Sequence, residues 1–111
     1  MAHESVVGNN QYIYNITLPA SFASVGSLLS ANQLAELGSF DILDGYIVSD
    51  AGDFHIAHDP NLTYGTYEAF TASGYAFFPF LDWTNRVFIR TSGGVPIARV
   101  KIMTGFIERR K

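Results

Sequence analysis

The stretch Arg86-Val87-Phe88-Ile89-Arg90-Thr91-Ser92-Gly93-Gly94, taken with Ile97-Ala98-Arg99-Val100-Lys101-Ile102, decides how the chain is read. In its first half Val87 and Ile89 face one way while Arg86 and Arg90 face the other. In its second half Ala98, Val100 and Ile102 form one face, and Arg99 and Lys101 share the opposite face with Ile97. This alternation is the period of a half-buried β-strand. The Thr-Ser-Gly-Gly link between the halves is turn-forming, so the pair reads as a β-hairpin.

The same pattern continues toward the N-terminus. Gly74 to Phe80 and Leu62 to Ala72 are rich in Tyr, Thr and Phe, which suit pleated surfaces, and Asp59-Pro60-Asn61 marks a turn before them. Further back come Phe54 to Ala57, the turn Asp50-Ala51-Gly52-Asp53, and an apolar segment Phe40 to Val48 interrupted at Asp44-Gly45. Ser30 with Gln33 forms a capping pattern, Leu34 and Leu37 supply a short stripe, and Gly38 ends it, which predicts one helix of about two turns. Gln11 to Leu18 places Tyr12, Tyr14, Ile16 and Leu18 at even positions, a strand that Pro19 closes. Residues Met1 to Asn10 are small and polar and read as an arm that needs a docking partner for order. Short strands at intervals of about ten residues with a single helix predict an all-β chain, an antiparallel β-sandwich or a jelly-roll or barrel-like fold. The expected organisation is an N-terminal arm over 1–10, one β domain over 11–108 and a basic tail over 109–111.

At 111 residues the chain has room for one core, and the absence of cysteine excludes a disulfide scaffold and thiolate metal sites. Hydrophobic residues make up 48% and charged residues 15%, against about 25% charged in an ordinary domain, so the chain is too apolar to be disordered. No apolar run approaches the roughly 20 residues of a membrane-spanning helix, and Met1 to Asn10 lacks the pattern of an export signal. Neither membrane association nor export is expected.

Charge is unevenly placed. Nine acidic and no basic residues precede Arg86, while seven basic residues and Glu108 follow, giving −9 and +6 and the net −3. Either the late basic strands pair with acidic neighbours inside one subunit, or a basic face on one molecule meets an acidic face on the next. The second arrangement is heterologous and makes rings or lattices. Depletion of charge and abundance of aromatics fit an interface, with Tyr64, Tyr67, Phe70, Tyr75, Phe77, Phe78, Phe80 and Trp83 as candidates, of which about a third are expected at the surface.

Catalytic signals are sparse. His55 and His58 in Asp53-Phe54-His55-Ile56-Ala57-His58-Asp59 form the one metal-capable cluster, but on a strand they point to opposite faces, and a polar loop explains them more simply. No Gly-x-Ser-x-Gly nucleophile motif occurs, and turn positions account for Asp41, Asp44, Asp50 and Asp53 without a glycosidase pair. Thr91 to Gly94 lacks the lysine of a phosphate loop. The cluster Arg109-Arg110-Lys111 would give only weak, salt-sensitive contact with nucleic acid, and the acidic body opposes a duplex. Asn15-Ile16-Thr17 and Asn61-Leu62-Thr63 match the glycosylation pattern by chance on common residues. The expected chain is therefore not an enzyme, carries no metal or cofactor and binds no nucleic acid.

Taken together, the lack of cysteine, the low charge, the polar start at Met1 to Asn10 and the string Asn85 to Gly94 resemble the small all-β structural proteins of tailed bacteriophage particles. Head decoration or cement proteins and fibre or tail modules belong to that group. The resemblance implies a protein made in the host cytoplasm and carried on the virion, which binds a capsid lattice, often as a trimer, and bridges neighbouring major capsid subunits. Contact residues expected on this reading are Tyr12, Tyr14 and Trp83 as aromatic anchors, Arg86, Arg90, Arg99 and Lys101 as a charged face, and Arg109, Arg110 and Lys111 as a hook. The alternatives are a carbohydrate- or receptor-binding module that stacks Trp83 and several Tyr on sugar rings, and a metal-dependent small barrel built on His55 and His58.

Overall fold

Alternation of apolar and polar side chains builds the strands, and the way the chain pairs them builds a roll. The computed structural model describes residues 3–38, 40–50, 52–59, 67–93 and 97–110, with side chains described between 10 and 106. Its strands are β1 (His3–Thr17), β2 (Ala23–Ser24), β3 (Asp41–Ser49), β4 (Phe54–Ala57), β5 (Glu68–Phe70), β6 (Tyr75–Phe78), β7 (Phe88–Thr91) and β8 (Ile97–Arg110), with one helix, α1 (Ala31–Leu37). Two 3₁₀ turns, Val25–Leu28 and Trp83–Asn85, complete the regular structure.

The chain doubles back once, between β4 and β5, so that β1 pairs with β8, β2 with β7, β3 with β6 and β4 with β5, all antiparallel. Rolling this long ribbon adds the pairs β3–β8 and β4–β7. Two four-stranded sheets result, in the orders β1-β8-β3-β6 and β2-β7-β4-β5. This is the β-sandwich the sequence predicts, in its jelly-roll form. Between the sheets lies one core, in which Val25, Ile47, Phe54, Trp83, Val87, Ile89, Val100 and Ile102 are fully buried.

The predicted hairpin between residues 86 and 102 does not form. Its two halves are real strands, but β7 belongs to the second sheet and β8 to the first. Alternation records which face of a strand is apolar and says nothing about its neighbour, so strands that face each other across a core carry the same signal as strands side by side. Gly94 lies outside the described residues. At this end of the sandwich the crossovers are tied together: the Ser92 amide donates to the Asp53 carbonyl (3.0 Å), the Ser73 amide to the Ser49 carbonyl (2.7 Å), and the Ala72 amide to Asp53 Oδ1 (3.0 Å). Asp50 to Asp53 is accordingly a bridge between sheets rather than a hairpin turn.

Asp44-Gly45 is no turn either. β3 runs through it, with a register shift against β8 between Ile42 and Gly45. Glycine is required because a Cβ there would collide with the Lys101 carbonyl and stand 2.8 Å from Trp83 Cζ2. The helix matches its expected limits, with the Gln33 amide donating to Ser30 Oγ (3.1 Å), the Ser30 amide to Gln33 Oε1 (2.8 Å), and Gly38 leaving at φ 55°. Only Leu37 of its stripe is buried; Leu34 is exposed. Too short to stand alone, α1 is held on β1 by the Tyr14 hydroxyl, which donates to Glu36 Oε2 at 3.0 Å.

Residues 3–10 are not a separate arm but the first part of β1, and their partner is β8 of the same chain. Arg109 and Arg110, expected in a tail, belong to β8, in register with Glu4 and His3. β3 reaches β8 only as far as Gly105, so beyond it β1 and β8 continue as a two-stranded ribbon. Met1, Ala2, the turn at Pro60-Asn61, the first half of the predicted strand over 62–72 and Lys111 lie outside the described residues.

Candidate functional site

Outward positions of the first sheet form continuous rows across its four strands. One row runs Ile13, Lys101, Tyr46, Phe77; the next runs Asn15, Arg99, Val48, Tyr75; Ile97 stands opposite Thr17 beyond them. Ile13 is 62% exposed, Tyr75 67%, Phe77 55% and Ile97 49%. Such large apolar side chains normally seek the core, and four on one sheet face make an exposed patch of the kind that marks interaction sites. Its two charged members are already engaged. Arg99 grips Asp50 with two bonds, Nε to Oδ2 at 3.0 Å and Nη2 to Oδ1 at 2.9 Å, and Lys101 Nζ lies 5.6 Å from the centre of the Tyr46 ring. Tyr46 and Tyr75 meet edge to face, and with Val48 and Arg99 they line a shallow hollow of about 470 Å³.

A second concavity opens where β5 and β6, edge strands of different sheets, part company. It encloses about 330 Å³ between Ile56, Phe70, Phe78 and Phe80, with His58 and Glu68 contributing polar groups. Phe78 also stacks on Trp83, ring centres 4.9 Å apart.

Several expected contact residues are placed elsewhere. Trp83 is completely buried, its Nε1 without a partner among the described residues, so it cannot be a surface anchor or a sugar platform in this fold. Tyr14 is 8% exposed and Tyr12 half-buried, stacked on it at 6.0 Å; both belong to the interior beneath α1. Burial, together with the hydrogen bond to Glu36, pushes the Tyr14 hydroxyl up to about 12. The four basic residues do not share one face. Because β7 and β8 lie in different sheets, Arg99 and Lys101 project from the first sheet and Arg90 from the second, while the exposed Arg86 follows the 3₁₀ turn. Arg109 and Arg110 sit in the ribbon, and Lys111 lies outside the described residues. Of the eight aromatic candidates, Tyr67, Tyr75 and Phe77 are exposed, Phe70 and Phe80 half-buried, Phe78 and Trp83 buried, and Tyr64 lies outside the described residues.

His55 and His58 do not converge on a ligand set: no group of three or more metal-capable side chains occurs among the described residues. His58 lies 6.4 Å from Phe80, and Nδ1 of His55 accepts from Arg90 Nε at 3.0 Å. No helix among the described residues is long and apolar enough to cross a membrane. Compared with known proteins, the chain matches no protein-family model, no curated protein and no solved structure.

Ile13 was absent from the expected contact set, although the alternation of Gln11 to Leu18 places it outward among polar neighbours. An isoleucine on the polar face of a strand was the available signal for the patch.

Proposed function

We propose that this chain is a non-enzymatic assembly subunit of a virion, of the capsid decoration or cement type, and that the outer face of its first sheet is the surface it presents to neighbouring subunits. The observation that carries this reading is the exposed row of Ile13, Tyr75, Phe77 and Ile97 beside Arg99 and Lys101. Aromatic and arginine-rich patches with little free charge are typical of interface centres. Jelly rolls serve in capsid shells and in lectins alike, so the fold supports the reading only by analogy. A flat sheet face of this kind suits a specific contact of about 800 Å² per partner, repeated by symmetry, and a homotrimer is the expected form.

Light scattering at high protein concentration, at about 50 mM and about 500 mM salt, tests the self-contact. The expected result is a trimer at both salts, reduced to a monomer by Tyr75→Ser combined with Phe77→Ser at unchanged melting temperature. Sedimentation with phage head shells tests the capsid contact. A native protein that stays monomeric and also fails to sediment with shells overturns the proposal.

The alternative, a carbohydrate- or receptor-binding module of a fibre or tail, is favoured by one observation, the aromatic cleft with His58 and Glu68. Through Phe78 the single tryptophan touches the wall of that cleft, so titration with a glycan panel followed by its emission separates the two readings. A saturable change selects the module.

A further inference from the structure

One side-chain row crosses the outer surface of the second sheet, two of its residues on strands and two just before them. Phe22 immediately precedes β2, Arg90 lies on β7, His55 on β4, and Tyr67 immediately precedes β5, in the order in which the strands lie side by side. The row is held by direct contacts. The Arg90 guanidinium carbon stands 4.3 Å from the centre of the Phe22 ring and 4.8 Å from that of Tyr67. Nε of Arg90 donates to His55 Nδ1 at 3.0 Å, and the His55 ring stacks on Tyr67 with centres 4.0 Å apart and planes at 26°. His55 and Arg90 are cross-strand partners in register.

This arrangement does to Arg90 what a binding site for an anion requires. A free arginine side chain loses rotamer freedom when it grips a ligand. Here the guanidinium already rests between two rings and an imidazole, so less of that freedom is left to lose. No carboxylate lies within ion-pair distance of it among the side chains described between 10 and 106, and Asp50 is taken by Arg99. Nε is occupied by His55, while neither terminal nitrogen has a hydrogen-bond partner among the described residues. Those two nitrogens form a fork whose geometry matches the two oxygens of a carboxylate. Flanking rings screen the fork from part of the surrounding water, which strengthens a charge-assisted bond.

We infer that Phe22, Arg90, His55 and Tyr67 form a carboxylate-recognition site, and that its occupant is an Asp or Glu side chain of a partner protein. The site lies on the sheet opposite the apolar face, so it gives the subunit a second, chemically different contact and stands independently of the first. A protein carboxylate is favoured over a free small acid because a single open fork offers no second group to hold a diffusible ligand, whereas a partner surface supplies the remaining contacts.

The test follows the arginine Nε–Hε signals of the intact protein by NMR during titration with sodium acetate, against sodium chloride at equal ionic strength and against neutral acetamide. The expected result is a saturable shift of the Arg90 signal with acetate, at least several times that of the exposed Arg86, and none with acetamide. A Glu-containing peptide should reproduce the shift at lower concentration than acetate. Arg90→Lys keeps the charge and removes the fork; with the amide spectrum otherwise intact, the Tyr67 and Phe22 ring signals should no longer respond to acetate. An Arg90 signal that merely follows Arg86, or that answers phosphate more strongly than acetate, overturns the assignment. Acetate binding that the peptide cannot match would assign the site to a free small acid and overturn the choice of a protein partner.

Discussion

A methyl group at Gly45 would fall on the Lys101 carbonyl and against Trp83, two neighbours that belong to the backbone of the central strand and to the heart of the core. Neither can yield without moving a sheet, so Gly45→Ala should cost about 1–3 kcal/mol or more in denaturant unfolding. Trp83 makes a different prediction. Its complete burial should give blue-shifted emission that iodide does not quench and that changes sharply on unfolding. An emission spectrum with and without quencher checks this, and exposed-tryptophan behaviour would contradict the fold. His55 supplies the pH dependence. Burial and then the Arg90 charge push its pKa below the ordinary 6.5, with Asp53 opposing. The folded state therefore binds the proton less readily than the unfolded chain. The stability held by the neutral ring is complete above pH 6.5 and is lost as the pH falls through the lower folded-state value. Urea midpoints at about pH 7.5 and about pH 5.5 should differ more for the native protein than for His55→Gln, which cannot titrate.

Among the elements, α1 was legible because its ends are written in side-chain chemistry. Ser30 and Gln33 exchange bonds at one end and Gly38 takes a positive φ at the other. Ser30→Ala should cost about 1 kcal/mol in the thermal or urea transition, since it removes one side of a reciprocal cap. β1, β7 and β8 were legible as strands by their period of two. Their pairing was not, because alternation is identical for a hairpin and for two strands facing each other across a core. Asp44-Gly45 misled for a related reason: the same dipeptide serves a tight turn and a close backbone approach, and only the position of Lys101 and Trp83 distinguishes them. The two 3₁₀ turns carry no periodicity long enough to read. Of the candidate surface, Arg99 and Lys101 were identified from sequence and the outward position of Ile13 was readable there, whereas the gathering of Ile13, Tyr75 and Phe77 on one face depends on which strands stand beside β8. Trp83 was misplaced because a large aromatic serves equally as core and as contact, and its burial follows from a 3₁₀ turn that sequence did not announce.

At the scale of the whole molecule, the first sheet depends on its last strand. β8 stands between β1 and β3, which share no hydrogen bonds with each other. A fragment of residues 1–96 should therefore lack a dispersed amide spectrum, and a synthetic peptide of residues 97–110 should restore it by entering the gap. A folded fragment would show that the second sheet and β3–β6 suffice. The uneven distribution of charge takes on a plain meaning in this light. The basic residues fall late in the chain because β7 and β8 are late, yet the roll sends them to opposite outer surfaces, so a run of positive sequence does not become a positive face. The central place of β8 also sets a timetable for biosynthesis. On the ribosome β1 emerges well before its partner β8, so the nascent polypeptide must wait with an open sheet until β8 clears the exit tunnel. Folding of the first sheet thereby waits on β8, and premature termination within β8 would release a chain with an unsatisfied edge, suited to chaperone capture and degradation.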